Sequence, residues 1–449
     1  MRKIKMDKDT VFTEKLILKL IKEHKDERTR ILRMKKYYDN MNDILNRQYD
    51  DPNKPQNKLS HNYAAYITDN FVGYMVGQPV SYKSDNKELL DRISESFLYN
   101  DEVDNNTTLA QEQSICGYAY ELLYTDNEPI PNLRFKCLDT ENVIVVYDNS
   151  LEETEIFAIL YSEIEEDKTR IYTYDTETIK EYIEEGGKLT LNEEAKEHFF
   201  GQVPIATYEN NRQRIGDFEK VISLINAYDQ ANSDTANDFE YFTNALLCIS
   251  GALIEEVDEN GKPLDFKNNR VLNFADKEGS AQYLIKNIND SALENYKNRI
   301  NKDIHKFSSV VDMSDEKFAG NLSGVALKYK LHTMENATAI KESKFRKGLM
   351  KRIELMTKFF KVASATDFTY LDIKPIFTRN IPANDAETVQ MVRDLTGIVS
   401  NETLLSQLPF VEDVEAEINA IDREKEKEFG EYEINPKDEQ YEEDIVNEE

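Results

Sequence analysis

Histidines, cysteines and closely spaced carboxylates most often carry catalysis or bind metals, and this 449-residue chain arranges few of them usefully. Its five histidines, His24, His61, His198, His305 and His332, lie far apart, and none forms the HExxH pair that would hold zinc on a helix. Cys116, Cys137 and Cys248 are 21 and 111 residues apart, which leaves no CxxC metal site and no disulfide scaffold. Such sparse cysteine use fits a reducing compartment, and the three read as packed thiols. There is no GxSxG nucleophile turn and no GxxxxGKS/T phosphate loop. Gly320-Asn321-Leu322-Ser323-Gly324 has two glycines but no Lys-Ser/Thr after the second, so it reads as a turn with Ser323 near the N-cap of the next helix. Asp312 with Asp315, and Asp101 with Asp104, lack the alternating oxygen ligands of a calcium loop and read as solvated acids ahead of a helix.

The chemistry that remains is electrostatic. Lys and Arg total 56 and Asp and Glu 86, a formal charge of −30. A protein that grips nucleic acid over its whole surface needs clustered cations, so the net charge argues against that class. Duplex lying inside a structure without being held is not. The charge is uneven: residues 1–36 carry 13 Lys/Arg against 6 Asp/Glu, residues 325–361 carry 10 against 3, and residues 412–449 carry 4 against 17. The basic start reads either as a solvated helix face or as a contact with an acidic neighbour. With 40% hydrophobic residues, including 25 Tyr and 21 Phe, a folded protein is expected, of roughly two to four domains. No stretch approaches the roughly 18 apolar residues of a membrane span. The charged start MRKIKMDKDTVFTEKLILKL lacks a signal-peptide cleavage site.

The elements that must position these groups alternate in type. Two helices are expected in the first 49 residues, a loop at 50–58, and a helix from Asn62 to Met75 that Gly77 and Pro79 end. VSYKS reads as a strand, followed by helices at 86–99 and 105–115. From about 117 to 210 the period changes to two, an antiparallel meander. Residues 217–247 return to helix: Phe218, Ile225, Asn232, Phe239 and Leu246 repeat every seven residues, a seam apolar at its ends and polar in its middle. A compact insert at 248–290 contains short strands and the Asn-Gly turn of DENGK.

A helix from Asp290 to Val310 follows. Leu293, Tyr296, Ile300, Ile304 and Phe307 fall within about 80° of its circumference, and Arg299, Lys302 and Lys306 lie opposite, spanning about 60°. A loop-like stretch, VVDMSDEKFAGNLSG, leads to a long helix over 325–362. A strand within 366–380, helices at 384–396, 401–407 and 412–429, and a disordered acidic tail complete an α+β chain without internal repeats. Two helices flanking a hairpin-bearing insert, joined by a loop to a helix of nearly 40 residues, suit a ring subunit whose helices line a bore. They also suit an α+β domain with a helical hairpin packed on itself.

Particular residues then point to a family. Gly73-Tyr74-Met75-Val76-Gly77-Gln78-Pro79-Val80, after Asn62-Tyr63, resembles the GYxxGxPV signature of tailed-bacteriophage portal proteins, the head-to-tail connector vertex proteins of siphophages of Gram-positive hosts. Tyr37-Tyr38-Asp39 with Ile44-Leu45 resembles the family's preceding helix. Asn226-Ala227-Tyr228, Ser233-Asp234, Asn237-Asp238, Phe242 and Gly251 are similar to its first stem helix. Gly320-Asn321-Leu322-Ser323-Gly324-Val325-Ala326-Leu327-Lys328-Tyr329 resembles its most recognisable motif. The matches stand in the family's order over about residues 30–380.

The resemblance implies the portal fold, ring-forming, with an α/β wing, a helical stem, a small β-containing clip and a short helical crown. The wing maps to 1–216, the first stem helix to 217–247, the clip to 248–290, the second stem helix to 291–311 and the tunnel loop to 312–323. The long helix and wing return take 324–400, and the short crown and acidic tail 401–449. It implies a homo-oligomeric ring of about twelve subunits at one capsid vertex of the virion, assembled in the host cytoplasm. Its partners would be the terminase large subunit, the head-tail adaptor, the major capsid and scaffolding proteins, and double-stranded DNA in the channel. No enzyme activity, cofactor, metal or membrane is implied. The tunnel loop would place Val311, Asp312, Met313, Ser314, Asp315, Glu316, Lys317 and Phe318 at the DNA, and Arg299, Lys302 and Lys306 would form sparse cationic rings in the lumen. The alternative from another class is a carboxylate-dependent metal hydrolase with a helical insertion. An acidic DNA mimic is disfavoured because the charge concentrates in the last 38 residues.

Overall fold

The computed structural model describes residues 3–49, 55–126, 131–242, 246–250, 280–284, 290–313, 324–364, 366–381, 385–408, 411 and 414–431. It divides into two compact units, one of Met1–Asp315 with Leu331–Asn380 and one of Glu316–Lys330 with Ile381–Glu449. Strand β1 (Ile4–Met6) precedes helix α1 (Glu14–Tyr38), where the first of two helices was expected. The second, expected on Ile31, Met34, Tyr37, Tyr38, Met41 and Ile44, is not separate: α1 runs unbroken through Tyr38, Asn40 at φ 60° then turns the chain out of the helix, and only a 3-10 turn at Asp43–Asn46 follows. Helix α1 starts at the Thr13 hydroxyl, which accepts from the Leu16 amide at 3.4 Å, and buries Ile17, Leu20, His24, Ile31 and Met34. Helix α2 (Tyr63–Val76) is capped by Asn62, and β2 (Ser81–Lys83), α3 (Lys87–Tyr99) and α4 (Glu102–Cys116) follow.

The period-two region is two sheets. Strands β3 (Tyr118–Thr125) and β4 (Leu133–Leu138) pair with the later β10 (Ile205–Glu209) in the order β10-β3-β4. Between them β5 (Val143–Asp148), β6 (Glu155–Glu165), β7 (Lys168–Tyr174), β8 (Thr178–Glu185) and β9 (Lys188–Glu197) form the meander. The meander is antiparallel as expected, but β1 adds to it in parallel beside β5, giving the order β1-β5-β6-β7-β8-β9. Helix α1 lies on this sheet through Ile17 and Leu20, which cluster with Ile159, Ile171 and Leu189.

Helix α5 (Ile222–Phe242), the antiparallel pair β11 (Leu246–Ser250) and β12 (Ser280–Leu284), and helix α6 (Asp290–Ser308) come next. The hairpin expected at DENGK lies outside the described residues. Helix α7 (Gly324–Ser364) is the long helix, β13 (Lys374–Ile376) pairs with β2, and α8 (Asp385–Leu395), α9 (Asn401–Leu405) and α10 (Val414–Glu431) belong to the second unit. The tail from 432 is outside the described residues.

The seven-residue seam of α5 is buried at Ile225 but not beyond it. Ile225, Asp229 and Ser233 are buried, whereas Phe239 is exposed. The neighbour explains this: residues 57–61 run antiparallel along α5, and their alternate backbone amides donate to its side chains. Asn57 donates to Asn237 Oδ1 at 2.7 Å, Leu59 to Ser233 Oγ at 2.9 Å and His61 to Asp229 Oδ1 at 3.0 Å. Four helical residues rise about 6 Å and two extended residues about 6.6 Å, so the periods match.

Helix α7 packs on the β10-β3-β4 sheet with two cations on its buried side. Arg352 is fully buried; it reaches Glu121 at 2.7 Å and Glu102 at 3.3 Å, donates to Asn106 Oδ1 at 2.8 Å, and lies 4.6 Å over the Phe135 ring. The Tyr208 hydroxyl completes the shell by donating to Glu121 at 2.7 Å. Gly348 sits against the Tyr208 ring, where a Cβ would collide with it. Removing one partner of such a cluster strands buried charge, so Arg352→Met should lower folding stability by about 3–5 kcal/mol. Adding Glu121→Gln should restore part of the loss in the same denaturant titration; a double variant no better than the single one would refute the account.

Candidate functional site

Helices α2 and α6 meet where the chain leaves α6 for the loop. Tyr63 and Tyr66, on the first turn of α2, stand edge-on to His305 of α6, with ring centroids 6.1 and 5.5 Å away. The Tyr63 hydroxyl donates to Asn301 Oδ1 at 2.8 Å. Tyr66 clasps the loop root: its hydroxyl donates to the Val311 carbonyl at 3.0 Å and accepts from the Met313 amide at 3.1 Å. His305 donates from Nδ1 to the Val310 carbonyl at 3.3 Å, and its Nε2 is 3.8 Å from Asp312. Burial pushes the Tyr63 hydroxyl pKa up, keeping it a neutral donor.

These groups line a cavity of about 510 Å³ bounded by Ser60, His61, Asn62, Tyr63, Tyr66, Asn301, His305, Asp312 and Met313. Its main donors and acceptors are already engaged with one another. The cavity is therefore a joint holding a chain segment rather than a pocket with polar groups waiting for a substrate. Among the described residues no three His, Cys, Asp or Glu side chains are grouped to hold a metal.

The other end of α2 carries the motif. Tyr74 is buried, its hydroxyl donates to Glu335 of α7 at 2.7 Å, and its carbonyl accepts from the Asn380 amide at 3.3 Å. Arg379 grips the same carboxylate with Nε at 2.8 Å and Nη2 at 3.0 Å. That grip holds Glu335 below the usual carboxylate range, and burial, helped by Glu335, pushes Tyr74 up to about 12. Gly77 ends α2 with its amide on the Gly73 carbonyl at 3.1 Å, and a Cβ there would collide with that carbonyl and with Asn380. Pro79, exposed, leads into β2. In the middle of α2, the Phe71 ring lies 4.6 Å from Lys341 of α7. Lys341 is buried and paired with Asp217, just ahead of α5; burial pulls its pKa down and Asp217 opposes the shift.

Of the expected loop residues, Val311, Asp312 and Met313 are at this joint. Ser314, Asp315, Glu316, Lys317 and Phe318 lie outside the described residues, as do Gly320, Asn321 and Ser323; Gly324 is the first residue of α7. Arg299, Lys302 and Lys306 are exposed on α6 and form no ion pair among the described residues; Lys306 lies 5.6 Å over the Phe307 ring. The apolar side of α6 is only partly covered: Ile300 and Ile304 are buried, but Tyr296 is 51% and Phe307 57% exposed. The clasp residues Tyr66, Asn301 and His305 were not singled out by sequence. The available signal was three tyrosines, Tyr63, Tyr66 and Tyr74, within about 80° of one helix face.

Tyr66→Phe removes both hydrogen bonds at the loop root. Amide exchange at Met313 should then quicken roughly five- to tenfold, read by hydrogen exchange, with the rest of α2 unchanged. An unaltered Met313 rate would show that the clasp does not hold the root.

The sequence matches the family described as "Phage portal protein, SPP1 Gp6-like" over residues 17–431. It is 29% identical over 417 residues to the portal protein of Clostridium phage phiCD119, covering 86% of this chain and 91% of that one. To the portal protein of Bacillus phage SPP1 it is 28% identical over 444 residues, covering 91% and 86%. A chain in the neck of a native GTA particle computed with C12 symmetry is similar at a TM-score of 0.43 and 11% identity, over 77% of this chain and 89% of that chain, a likeness too distant to bear on assembly. Among the described residues no helix is long and apolar enough to cross a membrane. The chain belongs to the SPP1 Gp6-like family of phage portal proteins, structural components of the virion's portal vertex rather than enzymes.

Proposed function

We infer that about twelve copies of this chain close into a ring around a channel for double-stranded DNA at one capsid vertex. The ring docks the terminase large subunit during packaging and the head-tail adaptor afterwards, and contacts the major capsid and scaffolding proteins during assembly. In this reading 1–216 is the wing, α5 and α6 are stem helices, 248–290 is the clip that meets terminase and adaptor, and 312–323 is the tunnel loop. Residues 324–400 return to the wing, and 401–449 form the crown and tail. The observation that carries the reading, beyond the family, is α6: a helix that leaves Tyr296 and Phe307 exposed on the subunit alongside Arg299, Lys302 and Lys306. The aromatic rings suit burial against a neighbouring copy, and the cations suit a lumen.

The charge balance supports a channel that guides without gripping. Each neutralised phosphate releases about 0.9 counterions, so many cationic contacts would hold DNA fast. A chain of formal charge −30 with few inward cations repels the phosphates and leaves the duplex mobile. The loop root, fixed by Tyr66 and His305, gives the following segment a firm base from which to meet the DNA grooves.

Native mass measurement should give a particle of about 0.6 MDa, close to twelve times the 52.2 kDa chain. A small oligomer at every protein concentration would refute the ring. Replacing Arg299, Lys302 and Lys306 together with Ala should leave assembly intact and alter packaging in a terminase-driven assay. Loss of assembly would assign them to salt bridges between copies. Deleting 313–319 should impair packaging, and normal packaging would remove the loop from the DNA path.

A further inference from the structure

The outward face of α1 carries Lys15, Lys19, Lys22, Lys25, Arg33 and Lys36, all exposed. At 100° per residue they fall within an arc of about 120°, opposite the buried Ile17, Leu20, His24 and Ile31. Lys19 is paired with Glu23 at 3.7 Å and Arg33 with Asp43 at 2.7 Å. Lys15, Lys22, Lys25 and Lys36 form no ion pair among the described residues. Asp26 is exposed within the same arc, so the face sets six cations against one carboxylate there, and this net positive surface repels itself unless something acidic lies on it.

The β8–β9 hairpin has the opposite sign. Residues 177–197 contain seven glutamates and three lysines, and β9 is an outer strand of its sheet, exposed at nearly every position. Glu177, Glu185, Glu194 and Glu197 are exposed and, among the described residues, unpaired. The edge is long enough to invite another strand, and its charges oppose that, so a contact here is made by side chains.

The two surfaces cannot satisfy each other within one subunit. Helix α1 lies on the sheet through Ile17 and Leu20, in the same cluster as Leu189 of β9, so its cationic face points away from its own hairpin. Two different patches of opposite sign on one chain make a head-to-tail contact, the kind that generates rings. We propose that the cationic face of α1 receives the acidic β8–β9 hairpin of the next copy in the ring. The assignment rests on the ring reading above and adds the surfaces that meet.

The test uses the full chain and particle mass across protein concentration, at low and at high salt. K15E/K22E/K25E and E185K/E194K/E197K replace only exposed, unpaired residues, and circular dichroism checks that each variant folds. Each should raise the concentration needed for assembly at low salt by about tenfold or more, because three weak attractions become repulsions, and the wild type should weaken as salt rises. The six-fold variant carrying both sets should assemble better than either triple. Triples that assemble like the wild type at both salts, or a six-fold variant no better than the worse triple, would overturn the pairing while leaving the ring intact. A K15E/K22E/K25E particle that assembles normally but loses affinity for duplex DNA would give the face to DNA and likewise overturn it. A wild type that stays a single chain under all conditions would remove the ring reading itself.

Discussion

Two cations on the buried side of one helix hold the larger unit together. Arg352 and Lys341 are eleven residues apart on α7, about 20° from perfect alignment, so they share a stripe. Arg352 is seated between Glu121 of β3 and Glu102 of α4, and Lys341 on Asp217 just before α5. A buried charge without a partner is expensive, and these have partners from three different parts of the chain. The consequence is register. A purely apolar stripe could slide by a turn and lose little, whereas sliding α7 would strand a guanidinium and an ammonium away from their carboxylates.

Helix α2 works as a strut between the segment leaving α6 and the body of α7. Its first turn fixes the segment leaving α6 through Tyr63 and Tyr66, and its last turn fixes α7 through Tyr74 and Glu335. The residues at the end of α2 therefore have a physical reason. Gly77 and Tyr74 stand where the backbone of α2 must pass close to Asn380 and where a phenol must reach a carboxylate on another helix.

Most elements were legible because periods of 3.6 and two survive in any context. The helices at α2, α3, α6 and α7 and the meander follow the apolar spacing closely. What stayed hidden depends on partners distant in sequence. Residues 325–361 read as a basic stretch of helix, yet two of its cations are among the most buried groups of the described residues. Spacing alone places Asn232 at the α5 seam, but the neighbour is an extended backbone that needs acceptors, so Asp229 and Ser233 are buried there instead. Strand β1 has three residues, too few for any period to register. At the site, the exposure of Arg299, Lys302 and Lys306 was readable from one helix face, whereas the Tyr66 clasp joins residues 245 and 247 positions apart.

The seam between α5 and residues 57–61 has a mechanical consequence. Its three amide contacts, at Asn237, Ser233 and Asp229, lie side by side along the helix axis. Thrust directed along α5 loads all of them in shear at once, so none can yield before the others. A force peeling the extended segment off from one end would meet them one at a time. The arrangement is stiff lengthwise and compliant sideways.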